Sequence, residues 1–386
     1  MKVLHVAPSI SKAYGGPTES LIGYLVAAET AGIDVSVAAP KCAVAEVDAF
    51  AARAGNARLF LFPSFGRGAF EISPALVSWV RGAAVGFDVV HVHGLFNTTS
   101  SLAARTCIRR EIPLVIRPFG TLSRYTYLHR RTQLKRAWLA LTERANIALA
   151  SAIHFTTSAE RENAEWHGVS FDGRGFVIPP PFLRSDPSSR AAGWEPADPS
   201  VLFIGRIEPI KNLELLLDAW PRVIASVPNA HLTVAGAGSP EYTRSLVERA
   251  QGLGIIESVL FPGFADSVLK RALLESASVF VLPSHHENFG IAIVEALDAQ
   301  VPVVVSRNVQ LAPFVETNRL GIVADFGPGA LAAAIVSCLG DRQLRERVRT
   351  GARDALTADF SPSRVGQLLL QMYQAATSSN DQPAHR

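Results

Sequence analysis

The chain has 386 residues, 48% of them hydrophobic and 18% charged, with a formal net charge of +3. That length accommodates two domains with substantial cores, and the composition excludes an intrinsically disordered chain. No apolar run approaches the length that crosses a bilayer. The three cysteines, Cys42, Cys107 and Cys338, are scattered without metal-ligand spacing, and read as packing thiols in a reducing cytoplasm.

The first residues, Met1-Lys2-Val3-Leu4-His5-Val6-Ala7, read as a strand and not a signal peptide, because the apolar run is short and no cleavage site follows. Tyr14-Gly15-Gly16-Pro17 comes next. Pro17 suits the first position of a helix expected over 18–30, and paired glycines let backbone approach a ligand; a plain tight turn is the other reading. Strand-like runs recur at 35–39, 58–62, 89–93, 114–117 and 153–157, with helical patterns between them. Near-continuous apolar strands joined by helices indicate parallel sheets buried on both faces. Between 105 and 136 lie nine basic residues, Arg105, Arg109, Arg110, Arg117, Arg124, Arg130, Arg131, Lys135 and Arg136, and one acid, Glu111. Tyr125, Tyr127 and Trp138 lie among or beside them. Such a region suits docking on anionic lipid headgroups or on a phosphate-bearing acceptor, or is simply a solvated helix face. No nucleic-acid-binding module is visible.

Periodicity breaks from Pro179-Pro180-Pro181-Phe182 to Pro196-Ala197-Asp198-Pro199, where proline, serine and charge concentrate. A second strand series follows at 201–204, 231–235, 259–262, 279–282 and 301–305, with helical patterns at 213–227 and 240–254. The expected organisation is a Rossmann-like domain over 1–180, a linker over 181–199, and a second Rossmann-like domain over 200–360. A helix over 361–377 ends the pattern: Ser361-Pro362 is its start signal and Val365, Leu368, Leu369, Met372 and Tyr373 form its apolar stripe. The tail from Ser378 is polar and expected to fray.

Three constellations in the second half carry chemistry. Gly205-Arg206-Ile207-Glu208-Pro209-Ile210-Lys211-Asn212 follows a strand and precedes a helix. In parallel sheets ligands bind beyond the carboxyl ends of strands, so Arg206 and Lys211 are placed to neutralise a diphosphate without a metal. The chain has no Asp-x-Asp pair of the kind that holds a divalent ion on a sugar nucleotide. Pro262-Gly263-Phe264 ends another strand; backbone near Phe264 is placed to read a base edge, or Phe264 is core. The third is His285-His286-Glu287-Asn288-Phe289-Gly290-Ile291-Ala292-Ile293-Val294-Glu295. Glu287 is expected in a loop and Glu295 about two turns into the following helix, a separation on the order of 10 Å at helical rise. The amides of Asn288, Phe289 and Gly290 would lie at that helix's N-terminus, where an anion binds well. Carboxylates for hydroxyls and amides for phosphate make one site for a sugar nucleotide. The Gly-x-Gly-x-x-Gly fingerprint is absent, so no nicotinamide cofactor is indicated.

Together, Gly15-Gly16, Gly205-Arg206 with Lys211, Pro262-Gly263-Phe264 and Glu287 with Glu295 strongly resemble the retaining family-4 glycosyltransferases (glycosyl transferases group 1). The match covers nearly the whole chain, and the second-half motifs are its most specific part. The resemblance implies an α/β GT-B fold: two facing Rossmann-like domains, a central cleft, and a C-terminal helix crossing back to the first domain. It implies a nucleotide-sugar donor on the second domain and an acceptor on the first. Within the site it implies Glu295 on the ribose hydroxyls, Glu287 near the sugar hydroxyls, Arg206 and Lys211 on the diphosphate, and support from the Gly16 amide.

One position departs from the family. Many relatives carry a histidine after the fifth strand, but here Ile116-Arg117-Pro118-Phe119-Gly120-Thr121 places Phe119 there. The candidates for the missing polar group are His93, which ends a strand, Arg117 and Thr121; Arg117, Thr121 and Asn97 are the acceptor-side candidates, and His91 shares the side-chain phase of His93. Alternatively, the leaving phosphate takes the acceptor proton itself. The expected reaction is retaining transfer of a hexose from a UDP- or GDP-linked donor to a hydroxyl of a glycan or lipid-linked acceptor, without metal or other cofactor. Bacterial surface polysaccharide synthesis, in the cytoplasm or at the inner face of its membrane, is the expected setting. A sugar-nucleotide epimerase on the same fold and a catalytically silent donor-binding protein are the rival readings.

Overall fold

The computed structural model describes residues 1–66, 68–123, 132–165, 170–183 and 199–378. The chain divides into two compact units, Met1–Leu183 with Phe360–Arg386, and Arg184–Asp359. Most of the expected linker, 184–198, lies outside the described residues. Its first residues do not: Phe182 N–H donates to the Phe360 carbonyl at 2.6 Å, and Pro181 packs against Gly23 within the first unit.

The first unit is built on β1 (Lys2–Val6), β2 (Asp34–Pro40), β3 (Arg58–Phe62), β4 (Val89–His93), β5 (Leu114–Arg117), β6 (Ala152–Phe155) and β7 (Gly175–Val177). They form one sheet in the order β3-β2-β1-β4-β5-β6-β7, every pairing parallel. All five residues of β4 are buried, as a strand covered on both faces requires. The second unit carries β8 (Ser200–Ile204), β9 (His231–Ala235), β10 (Val259–Gly263), β11 (Val279–Leu282), β12 (Val303–Ser306) and β13 (Gly321–Ala324). Their order is β10-β9-β8-β11-β12-β13, again parallel throughout. Each order reverses once, between β1 and β4 and between β8 and β11. Ligands of doubly wound sheets bind at the strand ends beside such a reversal.

The periodicity reading passes over β7 and β13. Both are edge strands, short and opening on glycine, with weak alternation. It also begins β12 two residues early, because Pro302 has no N–H to give the ladder.

The final helix, Pro362–Ser378, lies in the first unit and packs along the helix Gly16–Thr30. Its buried face is Val365, Gly366, Leu369, Met372, Tyr373 and Ala376. Gly366 is where the two helices come closest: a Cβ there would fall 2.2 Å from the Ala27 carbonyl oxygen. Helix backbone cannot retreat as a side-chain tip can. Gly366→Ala is therefore expected to cost about 1–3 kcal/mol by overpacking, seen as a melting-temperature drop of about 2–4 °C per kcal/mol. An unchanged melting temperature would show that the helix pair has room.

Candidate functional site

In the second unit the loops after β8, β10 and β11 assemble the expected donor residues. After β8, Ile207 N–H donates to Ala237 O at 2.8 Å, and the chain lies so close to the loop after β9 that a Cβ on Gly238 would meet Ile207 O at 2.3 Å. A short 3-10 turn, Pro209–Lys211, follows, and Asn212 closes it with a φ of 56°. Asparagine tolerates that left-handed conformation better than most side chains. The Asn212 amide then donates to Pro283 O at 3.2 Å, and His285 N–H donates to Ile210 O at 2.9 Å. From the other side, Asn308 donates to His285 O at 3.0 Å and Gln310 N–H to Glu287 O at 3.2 Å. The Glu287 loop is thus held between two neighbouring loops, and Lys211 meets Glu287 in an ion pair whose side chains are 13% and 19% exposed.

Gly290 caps the next helix, Ile291–Asp298, with a φ of 90°, a conformation glycine adopts without strain. Glu295 is the fifth residue of that helix, so it lies just over one turn in and not two. The helical-rise separation from Glu287 therefore counted residues that are not helical. Phe289 is buried, which anchors the segment whose amides precede the helix. Burial is the largest influence on His286 and pushes its pKa down; Lys211 acts in the same direction and Glu287 against it.

Among the described residues Arg206, Lys211 and Lys270 each bring a cation to this site, and each has a carboxylate partner. Arg206, 61% exposed, pairs with Glu208 at 2.8 Å; Lys211 pairs with Glu287; and Lys270 pairs with Glu295 at 2.5 Å. Arg206 and Lys211 are therefore both ion-paired with carboxylates of the chain itself. Lys270 itself is invisible to motif reading, because it comes from the helix Ser267–Ser276, well separated in sequence from Glu295. Phe264, at the end of β10, is 61% exposed, which removes the core reading and leaves its ring and loop available to a ligand.

The acceptor-side candidates of the first unit are placed differently. Parallel register sets His5 beside His91, and His93 beside Arg117, on one face of the sheet. His93 is buried; its Nε2 is 2.9 Å from His5 Nδ1 and its ring stacks on His91. Burial, followed by the charges around it, pushes its pKa well down. This placement does not support the expected imidazole role. Arg117 is buried as well, donating to Ser20 at 3.0 Å with its guanidinium over the rings of Tyr24 and Phe119. It therefore does not belong to a basic surface either. The Thr121 hydroxyl donates to Pro118 O at 2.6 Å, inside its own turn. Asn97 caps the helix Thr98–Arg109, its Oδ1 accepting from Ser100 N at 3.1 Å. Each of the four side chains has a protein partner.

Nitrogens of His5, His91 and His93 lie within 4.8 Å of one another, near enough in principle to share an ion. His91, however, already contacts Tyr373 Oη at 2.9 Å and His154 Nδ1 at 3.3 Å, and the Arg117 charge bears on the whole group. Two buried carboxylates missed by sequence support the loops nearby. Glu160 accepts from the amides of Gly120 and Thr156, fixing the turn in which Phe119 has a φ of 58°. Glu143 accepts from Phe96 N and Ser101 Oγ, and burial raises its pKa. At the start of the first helix the Gly15 amide is engaged by Lys12 O at 3.0 Å. The helix begins at Gly16, so Pro17 is its second residue. The Gly16 N–H falls outside the helical ladder, the kind of donor an anion accepts.

Two doubly wound parallel sheets, with paired cations and carboxylates at the second sheet's reversal point, define a GT-B glycosyltransferase. Residues 185–355 match the model for glycosyl transferases group 1, and residues 15–181 match a glycosyl transferase 4-like domain. The chain belongs to this family, the group 1 or family-4 glycosyltransferases. It is 29% identical to a phosphatidyl-myo-inositol mannosyltransferase of Mycobacterium leprae, over 98% of both chains. It is 34% identical to glycogen synthase of Mycobacterium tuberculosis over 48% of this chain, and spans only 45% of that enzyme's length. The crystal structure of Anabaena Alr3699/HepE in complex with UDP and glucose has the same fold, with a TM-score of 0.75 and 20% identity, covering 97% of this chain and all of that one.

Proposed function

We propose that this glycosyltransferase moves a hexosyl group from a UDP- or GDP-linked donor to a hydroxyl of a glycan or lipid-linked acceptor, with retention and without a metal. The carrying observation is the cluster of Arg206, Lys211 and Glu287 at the strand ends beside the β8/β11 reversal, one short loop from Glu295. The Anabaena protein solved with UDP and glucose shares this fold, which supports a nucleotide-sugar donor.

In this reading the diphosphate lies against Arg206, Lys211 and the amides ahead of Ile291, the hexose against Glu287, and the ribose against Glu295. Negative charge grows on the departing phosphate as the glycosidic bond lengthens. Preorganised cations and a helix N-terminus act more strongly on that charge than on the ground state. The diphosphate displaces Glu208 from Arg206, and Lys211 bridges phosphate and Glu287. With His93 buried against His5 and His91, and Arg117, Thr121 and Asn97 each hydrogen-bonded to protein groups, the leaving phosphate oxygen is the proposed acceptor of the hydroxyl proton.

A thermal-shift screen of UDP- and GDP-sugars tests this. A donor at about 100 times its Kd adds about 2.7 kcal/mol of stability by mass action. A panel that leaves the melting temperature unmoved would reject the donor reading. Product analysis without acceptor separates the epimerase, which would return an altered donor.

Among the described residues no helix is long and apolar enough to cross a membrane. We infer peripheral contact of the first unit with an anionic membrane, at the cytoplasmic face. Arg109, Arg110, Arg136 and Arg144 are exposed there, with Leu134, Leu149 and the 83%-exposed Leu141 among them. Arg124, Arg130, Arg131, Tyr125 and Tyr127 lie outside the described residues. Flotation with anionic vesicles, set against neutral ones, tests the contact.

A further inference from the structure

We propose that Lys270 is a positioning residue for nucleotide binding: it holds the Glu295 carboxylate in the orientation that accepts the ribose hydroxyls, and so sets discrimination between ribo- and 2′-deoxyribonucleotides. This rests on the donor reading above, in which Glu295 meets the ribose.

The geometry comes from two helices. Lys270 stands in the first turn of the helix Ser267–Ser276, which Asp266 caps by accepting from Val268 N at 3.0 Å and Leu269 N at 2.8 Å. The Lys270 N–H donates to Asp266 O at 2.9 Å, so its backbone is fixed by the cap. Its Nζ reaches across to Glu295 Oε1 at 2.5 Å, with both side chains about 30% exposed. Only Oε1 is engaged by this pair, and a carboxylate has acceptor capacity on both oxygens. Among the described residues no hydrogen bond takes Oε2, which leaves it for a hydroxyl. A glutamate loses rotamer freedom when it binds a ligand; here the lysine has already restricted it. The cap that fixes Lys270 also ends the loop carrying Phe264, so the segment that would meet the base and the carboxylate that would meet the ribose are joined through this one ion pair.

The test is calorimetric titration of the full chain with UDP against 2′-deoxy-UDP, and GDP against 2′-deoxy-GDP, for the native protein and for Lys270→Met, Lys270→Arg and Glu295→Gln. A hydrogen bond to a charged group is worth about 1.5–3 kcal/mol, so the native protein is expected to prefer its cognate ribonucleotide by roughly 10- to 100-fold. Lys270→Met is expected to lose most of that preference and to raise the donor KM with kcat changed far less. Lys270→Arg, which keeps the charge, is expected to restore both. Thermal melts establish that each variant is folded. If Glu295→Gln abolishes the preference while Lys270→Met keeps it, the proposal for Lys270 is overturned and the donor reading stands. If Glu295→Gln binds both sugars as the native protein does, or no nucleotide binds at all, the donor reading fails and takes the proposal with it.

Discussion

Lys211→Ala is expected to lower kcat by about two to three orders of magnitude, the usual cost of removing one preorganised donor from a developing negative charge. Lys211 has two tasks. It meets the diphosphate in the proposed complex, and it neutralises Glu287 in the free protein, where both side chains are largely buried. Its loss therefore leaves a carboxylate without a counter-charge, and the variant should also lose stability, by at most about 3 kcal/mol. Arg206→Ala is the companion experiment. Arg206 is largely exposed and its pairing with Glu208 contributes under about 1 kcal/mol. Its loss should reduce turnover by a similar factor while the melting temperature stays in place. The double variant Lys211→Met/Glu287→Gln removes both charges and is expected to recover stability without turnover. Near-native turnover in Arg206→Ala would reject its assignment to the diphosphate.

The second large effect is acid sensitivity of the first unit. His5, His91, His93 and His154 are buried, and each pKa is depressed chiefly by burial, that of His5 from 6.5 to about 3. Arg117 adds repulsion to all four. Tyr24 on the first helix and Tyr373 on the last complete the surroundings with hydroxyls whose own pKa values burial raises, and Glu160 acts on Tyr24 and Arg117. Well above pH 6.5 these imidazoles are neutral in both the folded and the unfolded chain and contribute no pH dependence. Below it the unfolded chain takes up protons that the folded unit excludes. Stability then falls by up to about 1.4 kcal/mol per pH unit for each histidine, until the folded pKa is reached, for His5 near 3. Glu143, with its pKa raised by burial, works in the opposite direction, but it is one group against four. Urea unfolding at several pH values should show stability dropping steeply below about pH 6, and His5→Gln should flatten that slope. A slope the substitution leaves untouched would show that the protons are taken up elsewhere.

Much of the architecture is legible in the chain because its signals are local. Strands such as Val89–His93 and His231–Ala235 are short β-branched or apolar runs that burial on both faces demands. The helix starts at Gly16 and Pro362 announce themselves by backbone chemistry, and the stripe Val365, Leu369, Met372 and Tyr373 is a helical period with one covered face. Glu287 and Glu295 are legible for the same reason: the loop and helix that carry them are contiguous. Phe119 is equally visible, a ring where the family resemblance leads one to expect an imidazole.

Pairing is what no local signal carries. Lys270 and Glu295 come from separate helices, and nothing in either segment announces the other. Lys211 and Glu287 likewise come from loops 76 residues apart that only the fold brings together. His93 ends a strand and looks available, but a strand end is exposed or covered according to the helices laid over it, and here the parallel register stacks five charged or titratable side chains under Tyr24 and Tyr373. By itself the sequence determined most of the strands and helices and singled out the candidate donor residues, since spacing and backbone preference act over a few residues. Tertiary structure alone decided that Lys211 meets Glu287, that Lys270 meets Glu295, and which imidazoles lose their access to water, because each depends on segments far apart in the chain.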